Sequence, residues 1–382
     1  MTGRKIRIIS LEYLRILSML MIIVLHVQGK TGWINAFNTG KGDWLLRWSV
    51  QALVIPAVNC YVLISGFFLI DSKVSLSKIL KLWLRVVFWS IICTFICSII
   101  SPESVSLIDY YRAIIPFSSC EYWFVTVYIG MYSFSPFIAK TLRHVSKREH
   151  FTLMCIMLLF CTILPSVFPV ASPDGRGLNG INGTNLLWFI TLFVVAAYIK
   201  LYCFPSRKNV RSIGALLYFL MACINVIGKF VFSYCGEHFG VLGSFASYYF
   251  NYASLICFLS SMGLFLAFLP QGEQSQTQGT VDKFIIDISA CTFGVYLIHE
   301  CPAVRNVLWN KVISIYDGFV PSLTYPLVVL VIALSIFMIC ALLEKIRIIL
   351  LSNLENRLAE KMSNRIMSLY QGVIDRCIGK GE

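Results

Sequence analysis

The chain has 382 residues, of which 58% are hydrophobic and only 13% are charged, and its mean hydropathy is +0.76. Soluble globular domains carry about 25% charged residues, so this composition excludes a soluble protein and indicates an integral membrane protein. The formal net charge of +13 would suggest a nucleic-acid partner in a soluble protein, but in a membrane protein its placement along the chain decides its meaning.

Long apolar runs recur along the whole chain with short polar breaks between them. About 20 apolar residues are enough for a helix to cross a bilayer. We therefore predict an all-α polytopic membrane helical bundle with ten spans: 8–28, 49–70, 79–100, 121–142, 151–170, 185–203, 212–235, 248–269, 284–302 and 322–343. Residues 1–343 form one transmembrane domain. The first run carries Arg15 in its middle and does not resemble a cleavable signal peptide, so we expect it to stay in the mature protein.

Positive charge alternates between the loops that join successive spans. One side of the predicted bundle holds 23 of the 32 Lys and Arg residues and the other side holds eight, while Arg15 lies within the first span. The positive-inside rule therefore places both termini in the cytoplasm. The basic excess reflects topology and contact with anionic lipid, and we expect no nucleic-acid partner.

Arg15 and His26 lie eleven residues apart in the first span. Eleven residues are about three helical turns, so both side chains project from nearly the same face, roughly 16 Å apart along the axis. Glu12, Met19 and Ile22 share that stripe. Because an ionisable group inside a span is costly unless it faces a partner or water, both side chains should point into a polar interior. The simpler alternatives are that Arg15 only pairs with Glu12 and that His26 only reaches the outer interface.

Other polar residues near the span ends form two groups at different depths. The outer group comprises His26, Glu121, Tyr296, His299, Glu300 and Arg305, and the inner group comprises Arg15, Lys78, Lys81 and Arg85. A His in a shielded cleft near a carboxylate is a natural general base for a hydroxyl acceptor. The inner cations suit the phosphates of a donor. Alternatively, His299 and Glu300 only cap the ninth span, and the inner cations only anchor the third span at the membrane surface.

The fourteen cysteines do not indicate a metal site. Most are scattered through apolar spans and none forms a Cys-x-x-Cys pair, so we predict no metal and interpret them as small hydrophobic residues. Cys120, Cys235 and Cys301 come near the outer surface, and a disulfide between two of them stays open. The chain also lacks Gly-rich phosphate and dinucleotide motifs, which argues against an ATP-driven machine and nicotinamide redox chemistry.

The tail, residues 344–382, has the pattern of an amphipathic helix. Apolar residues recur at near-helical spacing together with Arg357, Lys361 and Arg365. We predict a cytoplasmic amphipathic helix at the membrane surface, with anionic lipid as its partner. A helix that binds a protein partner is the alternative.

Five motifs occur along the chain in a fixed order. They are Leu11-Glu12-Tyr13-Leu14-Arg15 with His26, Ser65-Gly66-Phe67, Lys81 with Arg85, Glu121-Tyr122-Trp123-Phe124 with Ser135-Pro136-Phe137, and Thr292 to Glu300 followed by Arg305 and Trp309. Together they resemble the membrane-bound acyltransferase family 3, which holds many bacterial glycan O-acetyltransferases, over about residues 7–345. One departure is that many members carry two arginines spaced three apart at the start of the third span, where this chain has Leu82.

The resemblance implies an enzyme of the bacterial cytoplasmic membrane. It would transfer an acyl group, most often acetyl from acetyl-CoA, to a hydroxyl of a cell-surface polysaccharide or its lipid-linked precursor. His26 would be the general base or a transient acyl carrier, with Arg15 and Glu12 beside it, and Arg85 and Lys81 would dock the donor. The residues expected to orient the acceptor are Glu121, Trp123, Tyr296, His299, Glu300 and Arg305. The sugar, the acyl length and the oligomeric state stay open.

Two other classes of membrane protein are alternatives. A transporter or flippase of lipid-linked sugars would also use charged residues around a cavity, but it should place its site near the midplane and show internal repeats, which we do not detect. A polysaccharide polymerase is usually marked by a long outer loop with arginines. Two long predicted outer loops, 29–48 and 303–321, hold only three and two cationic residues.

Overall fold

The computed structural model describes residues 8–72, 75–116, 122–167, 183–204, 209–270, 279–316 and 323–378, with side chains described to residue 371. Within these ranges the chain forms helices and no strand. The helices are α1 Ile9–Lys30, α2 Trp44–Val54, α3 Ala57–Leu69, α4 Leu76–Ile100, α5 Leu107–Ile114, α6 Trp123–His144, α7 Lys147–Leu158, α8 Leu164–Val167, α9 Leu186–Tyr198, α10 Val210–Phe239, α11 Leu255–Ala267, α12 Thr280–His299, α13 Pro302–Ile315 and α14 Tyr325–Ile378.

Eight helical segments of the described chain are long and apolar enough to cross a membrane. Two more helices, α6 and α12, are 22 and 20 residues long and occupy the predicted spans 121–142 and 284–302. They carry charged residues such as Lys140 in α6 and Asp282, Lys283 and Asp287 in α12, which lower their mean hydropathy. The predicted all-α polytopic membrane bundle is confirmed.

The predicted second span, 49–70, consists of two helices. α2 ends at Val54 and α3 begins at Ala57, with Ile55 and Pro56 in a turn between them. A proline has no backbone N–H and its ring clashes with the preceding helical turn, which explains the break. Together the two helices cover Trp44–Leu69, long enough for one span.

The last predicted span and the predicted tail form one continuous helix. α14 passes through the boundary at residues 343 and 344 without a break, and Glu344, Arg347 and Glu355 are buried against the rest of the bundle. Further along, Ile366 and Leu369 are exposed. The division at this boundary and the contact of the tail with lipid stay predictions.

Five helices pack around the space in which the predicted site residues meet. α1 packs against α3, α12 and α14, and α12 packs in turn against α4 and α14. The last turns of α1 and α12 lie together, as do Glu12 and Ser289 further back along the same two helices, so α1 and α12 run in the same direction. The predicted topology requires this, since both are odd-numbered spans.

Candidate active site

The rings of His26 and His299 are in hydrogen-bond contact. His26 lies near the end of α1 and His299 is the last residue of α12, and 3.0 Å separates Nδ1 of His26 from Nε2 of His299. The His299 side chain is fully buried, whereas 22% of the His26 side chain is exposed. His299 therefore does more than cap its helix at a surface.

The hydrogen bonds fix the tautomer of each ring. His299 Nδ1 donates to the Val295 carbonyl oxygen over 2.6 Å, because a carbonyl oxygen can only accept. In a neutral ring His299 Nε2 then has no proton and accepts from His26 Nδ1. His26 Nε2 is left as the unprotonated nitrogen, and it has no partner among the described residues. This is the state that a general base requires.

A buried carboxylate lies beside the histidine pair. Glu300 Oε1 is 3.4 Å from His26 Nδ1, and Glu300 is only 5% exposed. Its other oxygen, Oε2, lies 3.5 Å from Nη1 of Arg305. A negative charge at this position would stabilise an imidazolium at His26.

His26 opens onto a cavity with largely aromatic walls. The cavity is lined by Met19, Ile22, Leu25, His26, Val58, Tyr61, Trp123, Phe124, Tyr252, Phe293 and Tyr296. Trp123 and Tyr252 stack with their ring planes 20° apart and their centroids separated by 6.1 Å. An apolar cavity with few polar groups is the usual form of a small-molecule site. Met19 and Ile22 were predicted to share the stripe of His26, and they line the same cavity.

A chain of hydrogen bonds leads from Arg15 to this cavity. Arg15 Nη1 donates to Glu12 Oε2 over 2.5 Å and to Ser289 Oγ over 3.3 Å, and Ser289 Oγ also donates to Glu12. Thr292 Oγ1 donates to the Ser289 carbonyl oxygen over 2.8 Å and lies 2.7 Å from the hydroxyl of Tyr61 in the cavity wall. Arg15 pairs with Glu12, as the simpler alternative proposed, but the pair also joins α1 to α12.

The predicted donor-binding cations lie on α4 and contact α14, away from the histidine pair. Lys81 Nζ donates to Asn356 Oδ1 of α14 over 2.5 Å. Arg85 Nε lies 3.8 Å from Glu344 and 3.7 Å from Glu355, also in α14. Its guanidinium carbon is 6.0 Å from the centre of the Phe293 ring, and Phe293 lines the His26 cavity. One aromatic ring therefore lies between Arg85 and the cavity.

The outer cluster has the composition of a metal site. Among the described residues, the ligand atoms of His26, His299 and Glu300 all lie within 4.8 Å of one another. Two imidazoles and a carboxylate are a donor set that Zn²⁺ accepts. Within the cluster the structure shows a hydrogen bond between the two rings. The predicted absence of a metal stays a prediction.

The structure brings most of the predicted site residues into two groups. His26, His299, Glu300 and Arg305 form one group, with Trp123 and Tyr296 in the adjoining cavity wall. Lys81 and Arg85 lie apart from them, and Glu121 lies outside the described residues. Of the cysteines considered for a disulfide, Cys235 and Cys301 are free thiols and Cys120 lies outside the described residues.

Sequence reasoning assigned no role to several side chains that complete these networks. They are Tyr61, Tyr252, Ser289, Thr292, Glu344, Arg347 and Glu355. A signal was available for the last three, because Glu344 and Glu355 are eleven residues apart, like Arg15 and His26, and so share a helical face with Arg347 between them. The apolar positions of the tail predict an interfacial helix and do not by themselves reveal this polar stripe.

An all-helical membrane bundle with a hydrogen-bonded histidine pair beside an interior cavity has the architecture of an integral membrane enzyme. The chain belongs to acyltransferase family 3, since the family model described as an acyltransferase domain matches residues 8–345. No curated protein and no solved structure gives a significant match. The protein is therefore a multi-pass membrane acyltransferase.

Proposed function

We propose that this acyltransferase moves an acetyl group from acetyl-CoA to a hydroxyl of a cell-surface polysaccharide or its lipid-linked precursor. The observation that carries the proposal is the hydrogen bond between His26 and His299, which leaves His26 Nε2 as a base on the cavity. A carbohydrate hydroxyl is an acceptor that needs such a base, because it is not nucleophilic until its proton is removed.

In the proposed reaction His26 Nε2 takes the proton of the acceptor hydroxyl as its oxygen attacks the thioester carbonyl. The carbon–sulfur bond then breaks, and the coenzyme A thiolate takes the proton back from the imidazolium of His26. Glu300, 3.4 Å from His26 Nδ1, stabilises the imidazolium between the two steps. No residue needs to carry the acetyl group, so we favour direct transfer over an acyl-histidine.

The donor phosphates are proposed to dock at Arg85 and Lys81. Arg85 is partly exposed and lies against Phe293, so a donor bound there has its reactive arm directed along this ring toward the His26 cavity. Guanidinium and ammonium groups bind phosphate through charge-assisted hydrogen bonds. Arg15 and Glu12 begin the chain of hydrogen bonds that leads through Ser289 of α12 toward the cavity.

The acceptor is proposed to approach from the His26 end of the bundle. Trp123 and Tyr296 form part of the cavity wall there, and Arg305 with Glu300 and His299 forms its polar edge. The surplus of Lys and Arg in the loops of the opposite side supports an orientation with the donor end in the cytoplasm of a bacterial cell and the acceptor end outside.

Transport of lipid-linked sugars would require a binding site that opens alternately to both sides. Membership of an acyltransferase family favours acyl transfer over transport.

A His26→Ala variant tests the proposed function. Loss of the base should lower acetyl transfer by about 10²- to 10⁴-fold. The purified variant, reconstituted in lipid, is assayed with radiolabelled acetyl-CoA, and ester-linked acetyl on the cell-surface glycan is followed by proton NMR. Undiminished acetylation with a well-folded variant would remove His26 from the mechanism.

A further inference from the structure

A buried ion network joins α14 to α4 beside the proposed donor site. Arg347 makes three hydrogen bonds of 2.8 Å, two to the two oxygens of Glu344 and one to Glu355 Oε2. The indole of Trp89 donates to Glu344 Oε2 over 2.7 Å. Glu344 is fully buried, and Arg347 and Glu355 are almost so. Arg347 therefore binds Glu344 in the two-pronged geometry that makes arginine–carboxylate pairs strong, and it binds Glu355 through one charge-assisted hydrogen bond.

Arg85 lies at the edge of this network without being hydrogen-bonded to it. Its Nε is 3.8 Å from Glu344 Oε1 and 3.7 Å from Glu355 Oε1, which is within range for attraction but too long for a hydrogen bond. Arg85 Nε and Glu355 Oε1 both lack a hydrogen-bond partner among the described residues, although both atoms are buried. A movement of less than 1 Å would bring these two atoms within hydrogen-bond distance. The contacts around the two side chains therefore keep Arg85 from forming a hydrogen bond with Glu355.

We propose that Arg347 is a positioning residue that holds Glu344 and Glu355 away from Arg85 and so keeps the Arg85 guanidinium available for the phosphate of the acyl-CoA donor. The inference rests on the proposed docking of the donor at Arg85. The net charge of the group supports the binding of a phosphate. Lys81, Arg85 and Arg347 carry three positive charges, whereas Glu344 and Glu355 carry two negative charges. The group as a whole thus attracts an anion.

The proposal predicts opposite effects for the two partners of one ion pair. Arg347→Gln leaves Arg85 as the nearest cation to Glu344 and Glu355, so Arg85 pairs with these carboxylates and is no longer available to the donor. The KM for acetyl-CoA should rise by about tenfold, which corresponds to the loss of one charge-assisted hydrogen bond. Glu355→Gln removes a competitor for Arg85, so the KM falls by about threefold, less than the effect of a full charge-assisted hydrogen bond, because the 3.7 Å contact between Arg85 and Glu355 is not a hydrogen bond. The kcat changes little in both, since docking contacts persist in the transition state.

The experiment uses the full-length protein in lipid nanodiscs. The KM for acetyl-CoA, the dissociation constant of coenzyme A from calorimetry and the melting temperature are measured for each variant. Matched controls on the same helix are Arg357→Gln and Glu360→Gln, which alter the same charges at exposed positions and should leave all three unchanged. Because a buried carboxylate without its partner can unfold the protein, Arg347→Lys accompanies Arg347→Gln and should raise the KM less.

A rise in KM for Arg347→Gln together with a fall for Glu355→Gln supports the proposal. Equal rises in both variants with lowered melting temperatures would show that the network only ties α14 to α4, and would overturn it. The Arg85→Gln variant shows whether the role of Arg347 or the docking of the donor at Arg85 is wrong. If Arg85→Gln leaves coenzyme A affinity unchanged, the docking site itself is wrong, whereas a loss of affinity in Arg85→Gln without opposite shifts in the other two rejects only the role of Arg347.

Discussion

His26 and His299 are 273 residues apart in the chain, and their ring nitrogens are 3.0 Å apart in the folded protein. The carbonyl oxygen of Val295 decides which nitrogen of each ring carries the proton, since it accepts from His299 Nδ1. A backbone group one turn back in α12 thus sets the state of a side chain on α1. In enzymes that activate hydroxyl groups, the base is likewise oriented by a second hydrogen-bonded group, which agrees with the proposed role of His26.

His299→Ala should lower kcat by roughly 100-fold with little change in the KM for acetyl-CoA. The variant leaves His26 without the acceptor that orients its ring, but the base itself remains, so the loss should lie at the lower end of that expected for a missing base. His299→Gln places an amide oxygen in the chain of hydrogen bonds and should restore part of the rate. Steady-state kinetics of both variants provide the measurement, and a normal kcat in His299→Ala would exclude the orienting role.

Arg85→Gln should raise the KM for acetyl-CoA by about tenfold while kcat stays nearly unchanged, because a docking contact contributes equally to the ground state and the transition state. Arg85→Lys keeps the charge and should recover part of the affinity. Lys140→Gln, at an exposed position of α6, is the matched control for loss of one basic residue. An Arg85→Gln variant that binds donor normally but does not turn over would move Arg85 from docking to chemistry.

Gly294→Ala should destabilise the protein by about 1–3 kcal/mol, the usual cost of an extra methyl group in a filled interior. A Cβ at this position would overlap the Glu344 side chain, which Arg347 and Trp89 hold in place. Gly29→Ala is the control, since a Cβ there meets no atom within 4 Å. Thermal unfolding in detergent should show a lower melting temperature for Gly294→Ala alone. Equal melting temperatures would indicate that Glu344 can move.

The proposed orientation predicts a labelling pattern in intact cells. A cysteine at position 30, in a background without other cysteines, should react with a membrane-impermeant maleimide, whereas a cysteine at position 147 should react only after the cells are opened. Both positions are exposed in the structure, so burial does not explain a lack of reaction. The reverse pattern would invert the protein, and the acceptor would then be modified in the cytoplasm.

The sequence by itself determined the class of fold and the helical stripe of the site. Repeated apolar runs of about 20 residues indicate membrane-spanning helices. The periodicity of one helix is enough to predict a common face for Glu12, Arg15, Met19, Ile22 and His26. Both inferences depend on interactions within a single helix or between a helix and lipid. They need no knowledge of which helices are neighbours.

Only the tertiary structure decided which side chains meet. The contact of His26 with His299 requires α1 and α12 to lie together, and the closeness of Arg85 to Glu344 and Glu355 requires α14 to pack along α4. Apolar faces do not specify their partners in lipid, because the lipid is as apolar as the helices themselves and close packing with a few polar contacts selects the neighbours. The sequence therefore indicated the depth of each charged group, and the packing of the helices decided which base, carboxylate and guanidinium share a site.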